Sequence, residues 1–381
     1  MLRVVLVLAA LSALLAATPA GATGRRVPHG WLGVTADGPV RASDDREWDG
    51  MATAGAESVR ASFRWSDVQP YRSFGDVPPD IAARFRDAGG RPTDFSATDA
   101  VVAAAARRGL GVLPVVENPP GWAAADPGNS GSPPSDLAAV SSLFAALVQR
   151  YGPEGGFWAE HPELPRLPIR AWQVFNEPNI ALHWSIQPFA AAYVATLRAA
   201  RQGILAVDPG ATVVLAGLTN FSWRALARIY AKGGRGLFDA AAVHPYTADP
   251  ANVIRIIRYA RRVMRRNGDG SLPIWLTEFT WAAAQGRVDH RTLFHTDDRG
   301  QAARLREFMP LLLAARKRLR IQRAYWYTWL SREGSEEFDY AGLRRVRDGR
   351  RLSAPALRVY RRWARRIEGC AKARADALRC R

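Results

Sequence analysis

The feature that most constrains this chain is an alternation. Short runs rich in β-branched and aromatic residues give way to amphipathic runs of helical period, about eight times between residues 31 and 367. The strand-like runs begin at 31, 58, 111, 171, 211, 240, 274 and 324. The helical runs cover 47–55, 96–108, 136–151, 188–207, 222–231, 251–266, 300–318 and 355–367. Ser96 stands where an N-cap for the second of them is expected. Strand then helix, repeated eight times with no break in composition, predicts an α/β chain folded as a single (β/α)8 TIM barrel. The long loops, at 67–93, 119–134 and 282–298, follow strands two, three and seven. They fall at the carboxyl ends of the strands, where such a barrel builds its cleft.

Length and composition agree with one domain. The 381 residues allow one large domain or two ordinary ones, and no interior stretch reads as a linker, so the barrel is expected over 23–369. Residues 1–22 read as a secretory signal: Arg3 is the positive start, 4–17 is an apolar run too short to span a bilayer, and Ala20-Gly21-Ala22 is a small-residue cleavage site. A mature start near Thr23 and secretion are expected. No other long apolar segment exists, so no stable membrane insertion is expected. The tail, 370–381, holds both cysteines, Cys370 and Cys380, which could pair in an oxidising compartment or remain two thiols.

The formal net charge is +18 and the pI about 10.9. Such a balance attracts nucleic acid, anionic membranes or acidic polysaccharide. The basic residues are nearly all Arg, spread over helical runs and dense toward the C-terminus, with no stripe interleaved with aromatics. A solvated basic surface is therefore expected and nucleic acid is not, while an anionic glycan stays open. Thirteen Trp is a high count. A sugar-binding cleft is one use for them, and core packing should take about half. A monomer is expected.

The fourth strand carries Ala171-Trp172-Gln173-Val174-Phe175-Asn176-Glu177-Pro178-Asn179. Its first half is a buried strand, its second half is polar, and Pro178 stops it. Ile274-Trp275-Leu276-Thr277-Glu278-Phe279 has the same build. Each leaves a glutamate where a barrel strand meets its ligand. The two lie 101 residues apart, so only the fold can join them. Two carboxyl groups flanking one bond are what glycoside hydrolysis needs: one protonates the leaving oxygen, the other attacks the anomeric carbon or activates water. Glu117, ending the third strand, is the rival carboxylate. Other chemistries lack their signatures. The six histidines show no zinc spacing, and the polar loop holding His290, His295, Asp289, Asp297 and Asp298 reads as solvated. There is no G-x-S-x-G elbow, and Gly233, Gly234 and Gly236 follow a helix rather than a strand. No metal and no cofactor are expected.

Asn176-Glu177-Pro178, His244-Pro245-Tyr246 and Thr277-Glu278-Phe279 together resemble clan A of the glycoside hydrolases, retaining enzymes on a barrel. Val59-Arg60 with Phe63, Trp65, Ser66 and Asp67, then Pro120-Gly121-Trp122-Ala123, look most like family 39 and its cellulase-like relatives. The resemblance covers roughly residues 31–366. It implies that Glu177 is the general acid/base and Glu278 the nucleophile, hydrolysing O-glycosidic bonds of a polysaccharide or oligosaccharide. It implies that Asn176 binds the 2-hydroxyl, that Tyr246 hydrogen-bonds the nucleophile, and that His244 lines the site. Arg60 would pair with Glu278, and Trp329 would floor the sugar ring. Two neighbours depart from the pattern: Phe175 stands where the family usually has Trp, and Thr280 where it has Gly. A carbohydrate-binding barrel without catalysis, or a transglycosylase with the same residues, are the alternatives.

Overall fold

The structure, a computed structural model, describes residues 26–289 and 294–368. Eight strands form one sheet: β1 (Leu32–Thr35), β2 (Ser58–Arg64), β3 (Gly111–Glu117), β4 (Ala171–Val174), β5 (Thr212–Val214), β6 (Ala241–Val243), β7 (Ile274–Phe279) and β8 (Ile321–Trp326). All neighbours are parallel, in the order β5-β4-β3-β2-β1-β8-β7-β6. Bridges from Val214 to Ala240 and from Leu218 to Val243 join the two ends, so the sheet closes on itself. A helix follows each strand: α1 (Asp45–Thr53), α2 (Ser96–Ala106), α3 (Leu137–Tyr151), α4 (Ala190–Val207), α5 (Ser222–Ala231), α6 (Pro250–Arg266), α7 (Asp298–Leu319) and α8 (Pro355–Glu368). This is the single (β/α)8 barrel that the alternation predicts.

Local chemistry sets the helix starts. Asp136, Asp249 and Asp297 cap α3, α6 and α7, each carboxylate accepting a backbone N–H of the first turn at 2.9, 2.7 and 2.6 Å. Pro250 at the first position of α6 suits a site with no N–H to satisfy. Ser96 is not a cap. It is the first residue of α2, and Asp94, two residues earlier, accepts its N–H at 2.9 Å. An ionised carboxylate beside a helix N-terminus is the better acceptor there.

The barrel interior has an apolar floor of Leu113, Val214, Ala240, Ala242, Trp275 and Tyr325. Gly33 is needed for it: a Cβ there would lie 2.6 Å from the Ser58 carbonyl and from the Tyr325 ring. Packing also claims most of the tryptophans. Ten of the thirteen are buried, and Trp122, Trp223 and Trp363 are half-buried, so core packing takes more than the expected half.

Two elements depart from the sequence reading. The loop at 67–93 holds a small hairpin of Arg86–Asp87 and Pro92–Thr93. After β8 comes a three-stranded sheet of Leu330–Arg332, Arg344–Arg347 and Arg350–Ser353. Its Arg344 and Arg351 pair with Glu47 of α1, at 2.9 and 3.2 Å. The arginines hid these strands, because their charged heads broke the apolar pattern, although Arg344 and Arg345 are buried. No helix among the described residues is long and apolar enough to cross a membrane. The expected signal at 1–22, His290, Cys370 and Cys380 lie outside the described residues.

Candidate active site

The end of β4 is bent into place. Phe175 has φ 62° and Glu177 φ 41°, in the left-handed region, which costs on the order of 1–3 kcal/mol for each such residue. Neighbouring strands hold the bend: Phe175 N–H donates to Val116 at 3.0 Å and Glu177 N–H to the Gly217 carbonyl at 3.1 Å. Gly217 has a second duty. A Cβ on it would lie 1.9 Å from His244 Nε2, so only glycine leaves room for the imidazole.

Arg60, on β2, ties the strand ends together. It is 3% exposed, and its fork makes three bonds of 2.7 Å: Nη1 to Glu278 Oε1, Nε to Gln173 Oε1, and Nη2 to Asn176 Oδ1. Gln173 in turn donates to the Leu215 carbonyl at 3.2 Å and to Thr277 Oγ1 at 3.3 Å. The Tyr246 hydroxyl donates to Glu278 Oε2 at 2.5 Å. His244 Nδ1 lies 2.6 Å from Glu177 Oε1 and 3.5 Å from Glu278 Oε2, and its Nε2 is 2.9 Å from Thr277 Oγ1. One oxygen of Glu177, one of Glu278 and a His244 nitrogen all lie within 4.8 Å of one another. The structure thus gathers Asn176, Glu177, His244, Tyr246 and Glu278, from the carboxyl ends of β4, β6 and β7, around Arg60 of β2.

Burial dominates the protonation states here. It pushes the Glu177 carboxyl up to about 7, against the opposing pull of His183 and Arg60. It also raises Glu278, although His244 and Arg60 act to lower it. It drives His244 down to about 3, so the imidazole is neutral at neutral pH. The close His244–Glu177 contact is therefore a hydrogen bond to a neutral ring rather than an ion pair. Burial, followed by Glu278, lifts the Tyr246 phenol well above its usual range, which keeps it a donor. Burial works against the charge on Arg60, but Glu278, then Glu117 and Asp37, overcome it.

Glu177, His244 and Glu278 could offer three ligand atoms to a cation. Both oxygens of Glu278 are already engaged, by Arg60 and by Tyr246, and a guanidinium shares the cluster. This donor set suits a moving proton better than a divalent ion.

Trp329 is elsewhere. It is fully buried, its indole N–H donates to Glu47 Oε2 of α1 at 2.8 Å, and it packs on Gly50. β8 ends at Trp326, so residue 329 lies beyond the barrel mouth, between sheet and helix. The half-buried Tyr327 is the aromatic residue near Glu278 instead: Asp37 first, then burial and Glu278, raise its phenol well above the usual range. Asp37 accepts from Thr328 at 2.5 Å and bonds Tyr327. Phe294 stacks on Tyr246 at 5.6 Å, and Phe338 meets Tyr327 edge-on at 5.5 Å.

Sequence reasoning missed Asp37, Gln173, His183, Thr277 and Tyr327. Gln173 and Thr277 did carry a signal, since a polar side chain inside a buried strand must find a partner. His183, whose Nε2 is 3.5 Å from Glu177 Oε2, sits in a loop and carried none. Glu117 bonds Ser62 at 2.7 Å, and its charge acts on Arg60 and Glu177, but it is not in the Glu177–His244–Glu278 cluster.

The family model described as the glycosyl hydrolase catalytic core matches residues 162–350. No curated protein matches the chain. Among solved structures, it is similar to a family 39 glycoside hydrolase from the gut symbiont Bacteroides cellulosilyticus WH2. That pair is 18% identical with TM-score 0.59, covering 88% of this chain and 63% of that one. A glucosidase from Croceicoccus marinus is 14% identical with TM-score 0.62, over 91% of this chain and 70% of that one. A monomeric β-xylosidase from Caulobacter crescentus CB15 is 16% identical with TM-score 0.61, over 90% and 69%. At these identities the likeness is one of fold. Residues 162–350 thus match a glycosyl hydrolase catalytic core, and the chain shares the barrel fold of these glycosidases.

Proposed function

We propose that the chain is a retaining glycosidase that cleaves O-glycosidic bonds by double displacement. One observation carries this reading: oxygens of two buried carboxyl groups, Glu177 and Glu278, lie within 4.8 Å across the barrel mouth. Retaining enzymes hold the two groups ~5–5.5 Å apart, whereas inverting ones leave ~6.5–9.5 Å for a water. Glu177, held protonated, gives its proton to the leaving oxygen. Glu278, ionised beside Arg60 and oriented by Tyr246, attacks the anomeric carbon and forms a glycosyl ester. Glu177, now a base, takes a proton from water, which displaces Glu278 and regenerates both groups. Asn176 has Oδ1 engaged by Arg60, which aims its amide N–H at a substrate hydroxyl. Time-resolved NMR of the first sugar released tests the reading: retained anomeric configuration supports it, and inversion overturns it.

The pH profile follows from the same geometry. Glu177 must carry its proton to act as the acid, and its folded value is about 7, so kcat/KM should fall above that pH. Glu278 must be ionised, and burial raises it, so activity should also fall on the acid side. The expected profile is a bell whose alkaline limb disappears in Glu177→Gln. An alkaline limb unchanged in that variant would assign it to another group.

The substrate class follows from the charges at the mouth. Asp37, Glu117 and Glu278 act on one guanidinium, Arg60, already bonded to Glu278 and Asn176. We assign a neutral glycoside to the cleaved position. Like charges brought together cost several kcal/mol, so aryl glycosides should beat the matched uronides by at least ~10²-fold in kcat/KM. Equal rates on such pairs would contradict this assignment.

A further inference from the structure

Five arginines are buried among the described residues: Arg60, Arg150, Arg261, Arg344 and Arg345. Four are paired with carboxylates, namely Arg60 with Glu278, Arg150 with Asp99, Arg344 with Glu47 and Arg345 with Asp298. Arg261, at 2% exposure, has none. Its Nη1 donates to the Gly270 and Leu272 carbonyls at 3.1 and 2.8 Å, and Nη2 to the Leu319 carbonyl at 2.8 Å. Its Nε is buried with no partner. The charges acting on it make matters worse, since burial and then Arg265 and Arg320 push its pKa down to about 10. An unpaired charge in that position is costly unless something outside the chain compensates it.

The surroundings suggest what does. A cavity of about 370 Å³ is lined by Arg258, Arg261, Arg262, Arg265, Arg318 and Leu319, from α6 and the end of α7. The carbonyls that hold Arg261 precede β7 and β8, so the cavity lies at the amino ends of the strands. Glu278 is at their carboxyl ends, so the proposed catalytic mouth opens on the opposite end of the barrel. None of the five guanidinium groups has an ion-pair partner among the described residues, and four of them are exposed. Several planar forks converging on one space match a compact oxyanion, whose oxygens accept from more than one fork at once.

We propose that this cavity binds a phosphate or sulfate group, with Arg261 as its buried floor. The site is independent of the glycosidase reading. The test is calorimetric titration of inorganic phosphate and of inorganic sulfate into the full chain, at constant ionic strength made up with chloride. Wild type should bind at least one of these ions saturably, one per chain. Arg262→Gln/Arg318→Gln alters only exposed side chains, so its melting temperature without ligand should match wild type while its affinity falls at least tenfold. Absence of saturable binding by both ions, or equal affinity in the variant, overturns the proposal. Dextran sulfate, with neutral dextran as control, separates the sources. Tighter binding per sulfate than the inorganic ion, lost in the variant, assigns a polymer-borne group, and equal affinity assigns the free ion.

Discussion

Glu278→Gln should lower turnover of aryl glycosides by on the order of 10⁴–10⁶-fold, the scale seen when a hydrolase loses its covalent nucleophile. The fold should survive, because the amide oxygen can still accept from Arg60 and the Tyr246 hydroxyl can turn to accept from the amide N–H, at positions now bonded over 2.7 and 2.5 Å. The decisive experiment adds azide. In Glu278→Ala an azide ion can enter from the vacated face and displace the leaving group once, giving a glycosyl azide of inverted configuration. In Glu177→Ala the ester on Glu278 still forms from substrates with good leaving groups, and azide then gives the retained configuration. Hydrolysis by Glu278→Gln at the wild-type rate, or the same product configuration from both alanine variants, would remove the double-displacement reading.

The second large effect is expected at Arg60. Replacing it with Leu leaves Glu278, Asn176 and Gln173 without the three bonds of 2.7 Å that the fork supplies. Breaking a buried ion pair from one side costs about 3–5 kcal/mol, which denaturant unfolding at neutral pH should read directly. The pH profile should move as well. Arg60 lowers the values of both Glu177 and Glu278, so its loss should shift both limbs of the bell upward. Arg60→Lys should recover little, because one ammonium cannot make three bonds in a fixed plane. A leucine variant as stable as wild type, with an unshifted profile, would mean that Arg60 neither holds the strand ends nor sets their charge.

Much of the fold was legible because its signals are local. The barrel strands showed as short apolar runs and the helices between them as runs of period 3.6. The strands of the small sheet after β8 were hidden by Arg344, Arg345, Arg347, Arg350 and Arg351, whose charged side chains leave no apolar alternation to read. In the site, Glu177 and Glu278 stood out as polar ends of apolar runs. Gln173 and Thr277 were equally visible, but their meaning depends on Arg60 and His244, which come from other strands. The resemblance puts Trp329 under the sugar ring, a place that requires the eighth strand to reach it. The strand stops three residues earlier, and a shift in where a strand ends changes what a side chain meets.

The sequence by itself determined the barrel and the two glutamates at its strand ends, since alternation and strand termini are written in consecutive residues. Tertiary structure alone decided that one guanidinium would bind three side chains from two other strands, that Gly217 would make room for His244, and that Tyr327 rather than Trp329 would stand near Glu278. It also decided that Arg261 would be buried without a carboxylate. Each of these depends on distances between residues far apart in the chain, and burial sets their energies. Neither quantity is fixed by the order of neighbouring amino acids.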